Sequence, residues 1–387
     1  MESVLQTRAA ASPRVGGGAL PWYLTLSVLG STSIVIGVLW DISWHATIGR
    51  DTFWTPAHLA IYLGGVLAGL SCGWLALKTT FAGSEAERAA SVRFWGFRAP
   101  LGAWVSIWGA IAMLTSAPFD DWWHNAYGLD VEILSPPHIV LALGMIAIQV
   151  GTLLMALALQ NRVPGTLRRR LSLTCAYTGG VLLAMVVTMF MEYSDFNEQH
   201  TATFYKVSSS AYPLLLAAIA YAVRLRWPAT TAAAAFTAVR LAMTWILPLF
   251  PATPMLAPIF NPVTHMWPPP FPILLIVPAV AFDLLLQRFR DRSGWLLAPA
   301  LGAAFTGLFL LVQWYFSALM LTPFGRNGFF AADHWMYSSR LADWRYRFWH
   351  LDTDPLTPAA VAVCFLLAAV SVRIGLGCGA WMARVKR

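Results

Sequence analysis

Ten long apolar segments constrain the fold of this chain more than any other feature of its sequence. A membrane-spanning helix needs about 20 mostly apolar residues, and a helix satisfies all of its own backbone polar groups in lipid. The segments cover residues 22–43, 56–79, 100–118, 137–160, 172–193, 209–223, 229–250, 271–287, 294–316 and 356–378. Consecutive segments pair as five helical hairpins. The sequence therefore predicts an all-α polytopic membrane helix bundle that forms a single integral membrane domain over residues 1–387.

The composition excludes a soluble globular domain. Of the 387 residues, 58% are hydrophobic and only 11% are charged, which is too apolar for a soluble chain of this length. The four cysteines lie inside apolar segments or at their inner ends, so no disulfide framework is expected. The first apolar segment is longer than the core of a signal peptide and is interpreted as a retained anchor. The predicted partner is membrane lipid, with other subunits of a membrane complex as an open alternative.

The distribution of basic residues predicts the orientation in the membrane. Arginine and lysine cluster near the N-terminus, in alternate connections between the apolar segments and at the C-terminus. The positive-inside rule places these regions, including the tail 1–20 and both termini, in the cytoplasm. We therefore interpret the net charge of +8 as a topology signal and not as a sign of nucleic acid binding. A multi-pass protein of the inner (plasma) membrane is expected.

All eight histidines and most acidic residues fall in the opposite, outer connections. Two of these connections, 41–58 and 120–138, share the pattern D-x2-W-H-x3-G-x-D followed by P-x-H, and their lengths differ by one residue. Aspartate and histidine four residues apart lie on one helix face, and a second histidine that opens the next helix can approach them. The predicted ligands are Asp41, His45 and His58 in the first copy and Asp120, His124 and His138 in the second copy.

Other residues of the motif are assigned supporting roles. Asp51 and Asp130 are expected to orient imidazole N–H groups from outside the ligand set, beside the aromatic neighbours Trp44 and Trp123. Asp121 competes with Asp120 for the ligand position, and the Asp-x3-His spacing favours Asp120. Additional candidate ligands in later outer connections are Glu192, His200, His265 and His334.

Imidazole and carboxylate donors favour copper, zinc or iron, whereas an all-oxygen site would favour calcium or magnesium. Three other interpretations stay open at this point. The motif can be a structural polar network in which Asp51 and Asp130 cap helices, or it can belong to a proton or ion pathway. Two histidines from neighbouring helices can also ligate haem iron.

The later segments supply two further expectations. The Pro-rich stretch 260–270 is expected to cap the outer helix ends, and the long outer loop 317–355 is expected to contain an interfacial helix. Within the spans, Arg240 is expected to face the bundle interior and to find a partner there. Asp283 is a candidate for that partner, and snorkelling of both side chains to the inner surface is the alternative.

The spacing Asp41-x3-His45-x12-His58 resembles the metal-binding motif of the C subunit of the particulate methane and ammonia monooxygenases, which are copper-containing membrane enzymes. The resemblance covers residues 41–58, and the second copy departs from it by one inserted residue. It implies copper at Asp41, His45 and His58, within the membrane near its outer face.

The resulting hypothesis is a membrane protein that binds a transition metal, with copper first, and acts as an oxidoreductase or monooxygenase-like subunit on a small apolar substrate. An aromatic and methionine roof of Met266, Trp267, Trp335 and Met336 would enclose that substrate. The alternatives are a metal carrier or assembly factor, and a non-catalytic subunit of a membrane complex.

Overall fold

The computed structural model describes residues 19–49, 51–127, 135–194, 196, 198–255, 264–332 and 354–387, without the side chains of residues 121 and 124. In this part of the chain the protein is helical apart from one small β-hairpin. The helices are α1 (Trp22–Thr47), α2 (Pro56–Phe81), α3 (Glu85–Ala89), α4 (Leu101–Tyr127), α5 (Pro136–Gln160), α6 (Gly165–Met189), α7 (Ala202–Ala222), α8 (Pro228–Ile246), α9 (Ile276–Phe289), α10 (Gly294–Met320) and α11 (Pro358–Met382), and the strands are β1 (Val92–Phe94) and β2 (Phe97–Ala99).

Eight helices of the described part are long and apolar enough to cross a membrane, which makes the chain a multi-pass, membrane-type helical protein. They are α1, α2, α4, α5, α6, α8 with its 3-10 extension to Leu249, α10 and α11. The predicted segments 209–223 and 271–287 overlap helices α7 and α9, but neither helix belongs to this set of eight. Helix α9 has 14 residues and is therefore about 21 Å long, short of a full crossing.

Two tight helical hairpins, α1–α2 and α4–α5, begin the bundle, and each crosses at a pair of glycines. A Cβ atom added to Gly30 would lie 2.7 Å from the carbonyl oxygen of Gly64, and one added to Gly109 would lie 2.6 Å from that of Gly144. Glycine is therefore required at these crossings, because any side chain would push the helices apart. Gly30 and Gly109 both lie eleven residues before the aspartate of their motif.

The Pro-rich segment enters the bundle, whereas the sequence predicts a cap over the helix ends. Residues 266–275 lie outside any helix or strand and are mostly buried. Because buried backbone groups need partners, side chains of neighbouring helices supply them. Arg240 Nη2 donates to the carbonyl of Pro270 at 3.2 Å, and the Leu274 N–H donates to Gln313 Oε1 at 2.8 Å. At the outer end, the Trp267 N–H donates to Thr47 Oγ1 at 2.8 Å.

Arg240 and Asp283 therefore have separate roles, both inside the bundle. Arg240 is 3% exposed and also reaches Thr188 Oγ1 at 3.4 Å. Asp283 is 2% exposed and accepts hydrogen bonds from the backbone N–H groups of Ala229 and Thr230 at 3.1 and 2.8 Å. A carboxylate at that position satisfies the first free N–H groups of α8 and complements the helix dipole.

Candidate metal centre

The first copy of the motif folds into a tight turn at the junction of α1 and α2. Asp41 and His45 lie one turn apart near the end of α1, on the same face. The helix ends at Thr47, and Gly49, two residues later, has a φ of +79° and donates its N–H to the carbonyl of Trp44 at 3.1 Å. Glycine is the residue that adopts this left-handed conformation without strain. The turn brings Asp51 back over the helix end, so that its Oδ2 lies 3.5 Å from Nε2 of His45.

His58 enters the same cluster from the first turn of α2. Pro56 begins this helix in a position where a missing N–H costs nothing. His58 Nδ1 lies 2.9 Å from the carbonyl oxygen of Thr52, and because a carbonyl only accepts, Nδ1 carries the proton of this hydrogen bond. In the neutral ring, Nε2 then has a free lone pair. This nitrogen lies 3.1 Å from Asp41 Oδ1 and 3.3 Å from Asp51 Oδ2.

The four side chains form one compact cluster of nitrogen and oxygen donors. One ligand atom from each of Asp41, His45, Asp51 and His58 lies within 4.8 Å of every other. Among the residues that the structure describes, this cluster is the one group of His, Cys, Asp or Glu side chains that could hold a metal ion. Zinc–nitrogen and zinc–oxygen bonds of about 2.0–2.2 Å give ligand–ligand edges of about 3.3 Å in a tetrahedral site. The observed imidazole–carboxylate distances of 3.1, 3.3, 3.5 and 3.8 Å lie around this value.

The chemistry of the cluster calls for a cation. Within the described residues, Asp41 Oδ1 is buried and receives no hydrogen bond, although a buried carboxylate oxygen normally requires a partner. The nearest group is Nε2 of His58, which in the neutral ring is also an acceptor. A proton or a metal ion between them would satisfy both atoms. Two imidazoles and two carboxylates are donors that suit copper, zinc or iron.

Asp51 holds a different place from the one expected. The sequence predicts a supporting residue outside the ligand set, whereas the structure places its carboxylate within 3.5 Å of both imidazole Nε2 atoms. The supporting contact to an imidazole N–H comes instead from the Thr52 carbonyl. The hydrogen bond with His45 holds the pKa of the Asp51 carboxyl below its usual value, so this carboxylate stays ionised and available as a ligand at neutral pH.

The described part of the second copy repeats one contact of the first. His138 Nε2 lies 3.4 Å from Asp120 Oδ1, which corresponds to the contact between His58 and Asp41. The side chains of Asp121 and His124, and the whole of Asp130, lie outside the described residues. Trp123 stacks on Tyr127 with ring centroids 4.5 Å apart.

A cleft adjoins the first cluster on the side of Asp51. It has a volume of about 330 Å³, and its lining is mainly apolar. The residues that line it are Trp44, Asp51, Thr52, Trp54, Thr55, Pro56 and Met255. Trp44, predicted as a neighbour of the site, therefore forms part of this wall. A small apolar molecule in the cleft would lie against a side chain of the cluster.

The three additional candidate ligands that the structure describes do not join the cluster. His200 is 8% exposed and its Nε2 lies 3.2 Å from the carbonyl of Trp314, and burial lowers the pKa of this histidine to about 4. His265 is exposed and its Nδ1 lies 2.9 Å from Thr264 Oγ1. Glu192 is exposed in a 3-10 turn after α6. His334 lies outside the described residues, together with the expected interfacial helix and the roof residues Trp335 and Met336. Met266 is buried, at 4% exposure.

Tyr62 is a neighbour of the site that sequence reasoning missed. Its ring centroid lies 6.1 Å from that of His58, one helical turn away on α2, and its hydroxyl is within electrostatic reach of Asp120 as well as of Asp41 and Asp51. Helical spacing from His58 was the available signal. The Tyr62 phenol is therefore a candidate for a residue that both motifs influence.

Comparison of the chain with protein families, curated proteins and solved structures finds no match.

Proposed function

We propose that this protein binds a transition metal ion through Asp41, His45, Asp51 and His58 at the outer surface of the membrane. The observation that carries the proposal is the convergence of four donor atoms within 4.8 Å. A carboxylate oxygen buried without a hydrogen bond and an imidazole fixed by a carbonyl on its far side support it, because metal-binding histidines are usually oriented in this way.

A second, related site is proposed at Asp120, His124 and His138. The contact of Asp120 with His138 and the matching glycine crossings of the two hairpins support an internal repeat of a hairpin with a metal motif at its outer end. The proposed topology has ten passes in five hairpins, in which α9 completes its pass together with residues 266–275 before it. Both termini are proposed to lie in the cytoplasm, and the protein in the inner membrane. The distribution of basic residues supports this orientation.

Copper is the metal proposed first, and oxidation of a small apolar molecule by dioxygen, with an external two-electron donor as the reductant, is the proposed reaction. The motif in residues 41–58 resembles the copper-binding motif of the particulate monooxygenases. Copper(II) binds nitrogen and oxygen donors of this kind, so the four side chains of the cluster would hold it. The cleft of Trp44, Trp54 and Met255 beside Asp51 would hold an apolar substrate next to them. The metal would supply the redox chemistry, while these side chains bind the substrate and His58 is held in place by Thr52.

Elemental analysis of the purified protein, together with its melting temperature, tests the proposal. We expect at least one copper ion per chain after loading. Because a bound ligand stabilises the folded state by mass action, a chelator should lower the melting temperature. Acidification should release the metal, because protons compete for the same imidazole nitrogens.

Each outcome separates one part of the proposal from the rest. Absence of any transition metal, with no change in melting temperature on adding copper, zinc or iron, would contradict metal binding. If the protein bound stoichiometric zinc and no copper, the proposed metal site would stand and the proposed oxidation would be contradicted. Uptake of the metal into sealed vesicles would instead show a carrier, since an enzyme gives none.

A further inference from the structure

The β-hairpin β1–β2 is fixed against the membrane helices at the end of the bundle opposite the Asp/His cluster. Its register pairs Val92 with Ala99, Arg93 with Arg98, and Phe94 with Phe97. The Trp104 side chain donates to the carbonyl of Val92 at 3.0 Å. These contacts hold the hairpin rigidly beside α4.

The hairpin folds back along α4, so that its tip points towards the hydrocarbon region. Trp95 and Gly96 form the two-residue turn with φ values of +47° and +86°, the type I′ geometry of short hairpins. The Trp95 ring lies 5.7 Å from Trp108. Trp108 lies seven residues after the start of α4 at Leu101, which is about 10 Å along the helix. The tip therefore reaches the depth of the second and third turns of a membrane helix.

The tip exposes aromatic surface at that depth. Trp95 is 79% exposed, in a turn position where asparagine or glycine is the usual residue. Phe94 packs between Trp104 and Trp108, with ring centroids 5.6 and 5.8 Å away. Tryptophan is enriched at the level of the lipid headgroups, and the open edges of a two-stranded hairpin require the hydrated headgroup layer for their backbone groups.

The opposite face of the hairpin carries unbalanced positive charge. Arg93 and Arg98 are directly opposite each other, an arrangement that destabilises a strand pair when both charges are alike. Among the residues that the structure describes, neither forms a salt bridge. The nearby Glu87 is occupied by Lys78 at 2.7 Å, and the Arg98 guanidinium makes a long contact of 3.4 Å to the Arg88 carbonyl.

We propose that the Arg93–Arg98 pair binds the phosphate of an anionic lipid headgroup, with Trp95 as the anchor beside its acyl chains. An anion between the guanidinium groups turns the repulsive pair into two charge-assisted hydrogen bonds, because arginine forms paired contacts with phosphate. The aromatic tip selects a lipid over a free phosphate, because only the lipid offers an apolar chain next to Trp95. This inference does not depend on the metal centre.

Native mass spectrometry of the full chain, released from detergent containing phosphatidylglycerol and phosphatidylcholine, tests the proposal. We expect the wild-type protein to retain phosphatidylglycerol in preference to phosphatidylcholine. The double variant Arg93→Gln/Arg98→Gln should lose that preference by about fivefold for each arginine removed. Trp95→Ala should weaken retention of both lipids and leave their ratio unchanged.

The matched control is Arg288→Gln/Arg292→Gln, which removes one exposed arginine from the last turn of α9 and one shortly after that helix, and it should keep the preference. The variant Arg93→Glu distinguishes lipid binding by the hairpin from a purely structural role of the hairpin. It places opposite charges across the strands, so the melting temperature in neutral detergent should rise or stay constant while phosphatidylglycerol retention falls. Equal retention of the two lipids by the wild type, or an equal loss in the control, would overturn the proposal. Inorganic phosphate that raised the melting temperature as much as phosphatidylglycerol would also overturn it.

Discussion

The hairpins α1–α2 and α4–α5 place the same residues in the same positions but bury them to different extents. Each crosses at a glycine pair, and each brings the histidine of its second helix to the aspartate of its first, at 3.1 Å for His58 and Asp41 and at 3.4 Å for His138 and Asp120. The side chains of the first pair are 20% and 22% exposed, and those of the second pair are 33% and 31% exposed. Close helix crossing therefore creates the contact, and the surroundings set how well water is kept from it.

The described residues around His58 and Asp41 explain why this pair is less exposed than His138 and Asp120. The turn at Gly49 returns Asp51 to both imidazoles, and Tyr62 covers His58 from the next helical turn. In the second hairpin the corresponding histidine is His138, and the residue one helical turn after it, in the position of Tyr62, is Ala142. Alanine cannot cover an imidazole as tyrosine does. We therefore expect the first site to bind metal more tightly than the second.

The largest expected effect is the loss of metal from the first site in His58→Ala. Because loss of a residue that only orients a ligand already weakens metal binding by about 10- to 100-fold, loss of the ligand itself should cost at least about 100-fold. The matched variant His138→Ala should leave the tighter binding event intact and remove only a weaker one. A titration of purified protein with copper, followed by competition with a chelator, measures both.

If His58→Ala and His138→Ala weakened the same binding event equally, the two hairpins would not form separate sites. The motifs would then meet in a single site around Tyr62, which is within electrostatic reach of both clusters. Unchanged affinity in His58→Ala would contradict the assignment of the first site altogether.

The glycine crossings provide the next largest effect. Gly64→Ala would place a Cβ atom 2.5 Å from both the Gly30 carbonyl oxygen and Ile34 Cγ1, so the helices must separate, at a cost of about 1–3 kcal/mol of folding stability. Gly144→Ala meets the Gly109 carbonyl oxygen at 2.8 Å and the flexible Met113, and should cost less. Melting temperatures in detergent, with metal content at a fixed copper concentration, measure both changes.

Gly73→Ala is the control for these substitutions. It lies in the same helix as Gly64, and an added Cβ atom meets nothing within 4 Å, so its stability should be unchanged or slightly higher because alanine is the better helix former. If Gly64→Ala behaved like this control, the two crossings would not be what positions the Asp/His contacts.

Much of the fold could be predicted from the sequence, because lipid imposes a simple rule on helices. A long apolar segment must be helical to satisfy its backbone, and eight helices of the required length follow that rule. The rule failed at residues 266–275, where an apolar stretch inside the protein is not helical and its backbone forms hydrogen bonds with the side chains of Arg240 and Gln313. Hydrophobicity alone cannot distinguish burial in lipid from burial against such side chains.

The parts of the candidate site that helical spacing determines could be predicted from the sequence. The parts that depend on the path of the loop could not. Asp41 and His45 are one turn apart on any helix, so their proximity could be read from the sequence. The ligand position of Asp51 depends on the path of the turn after Gly49, and the orientation of His58 depends on a backbone carbonyl at Thr52. A carbonyl is present at every residue, so no sequence pattern marks the one that is used.

The smallest of the three effects concerns the hydroxyl that holds this turn. Thr55 Oγ1 accepts a hydrogen bond from the Thr52 N–H at 2.8 Å, and it makes no capping contact to α2. The Thr55 N–H also donates to the Thr52 carbonyl at 2.9 Å, and this contact remains in Thr55→Ala. The substitution should therefore loosen the Thr52 carbonyl at His58 Nδ1 and lower the metal affinity of the first site by about tenfold, the lower end of the effect of such orienting residues. Competition with a chelator measures the change.

Two further variants decide whether the Thr55 hydroxyl acts through this contact. Thr55→Ser retains the hydroxyl and should restore the affinity. Ser135→Ala, at the corresponding position before Pro136 in the second hairpin, should leave the first site unchanged. If Thr55→Ser binds metal as weakly as Thr55→Ala, the methyl group and not the hydrogen bond supports the site. Because Thr55 lines the cleft together with Trp54 and Met255, that result would mean that packing of the cleft wall, and not the turn, distinguishes the first hairpin from the second.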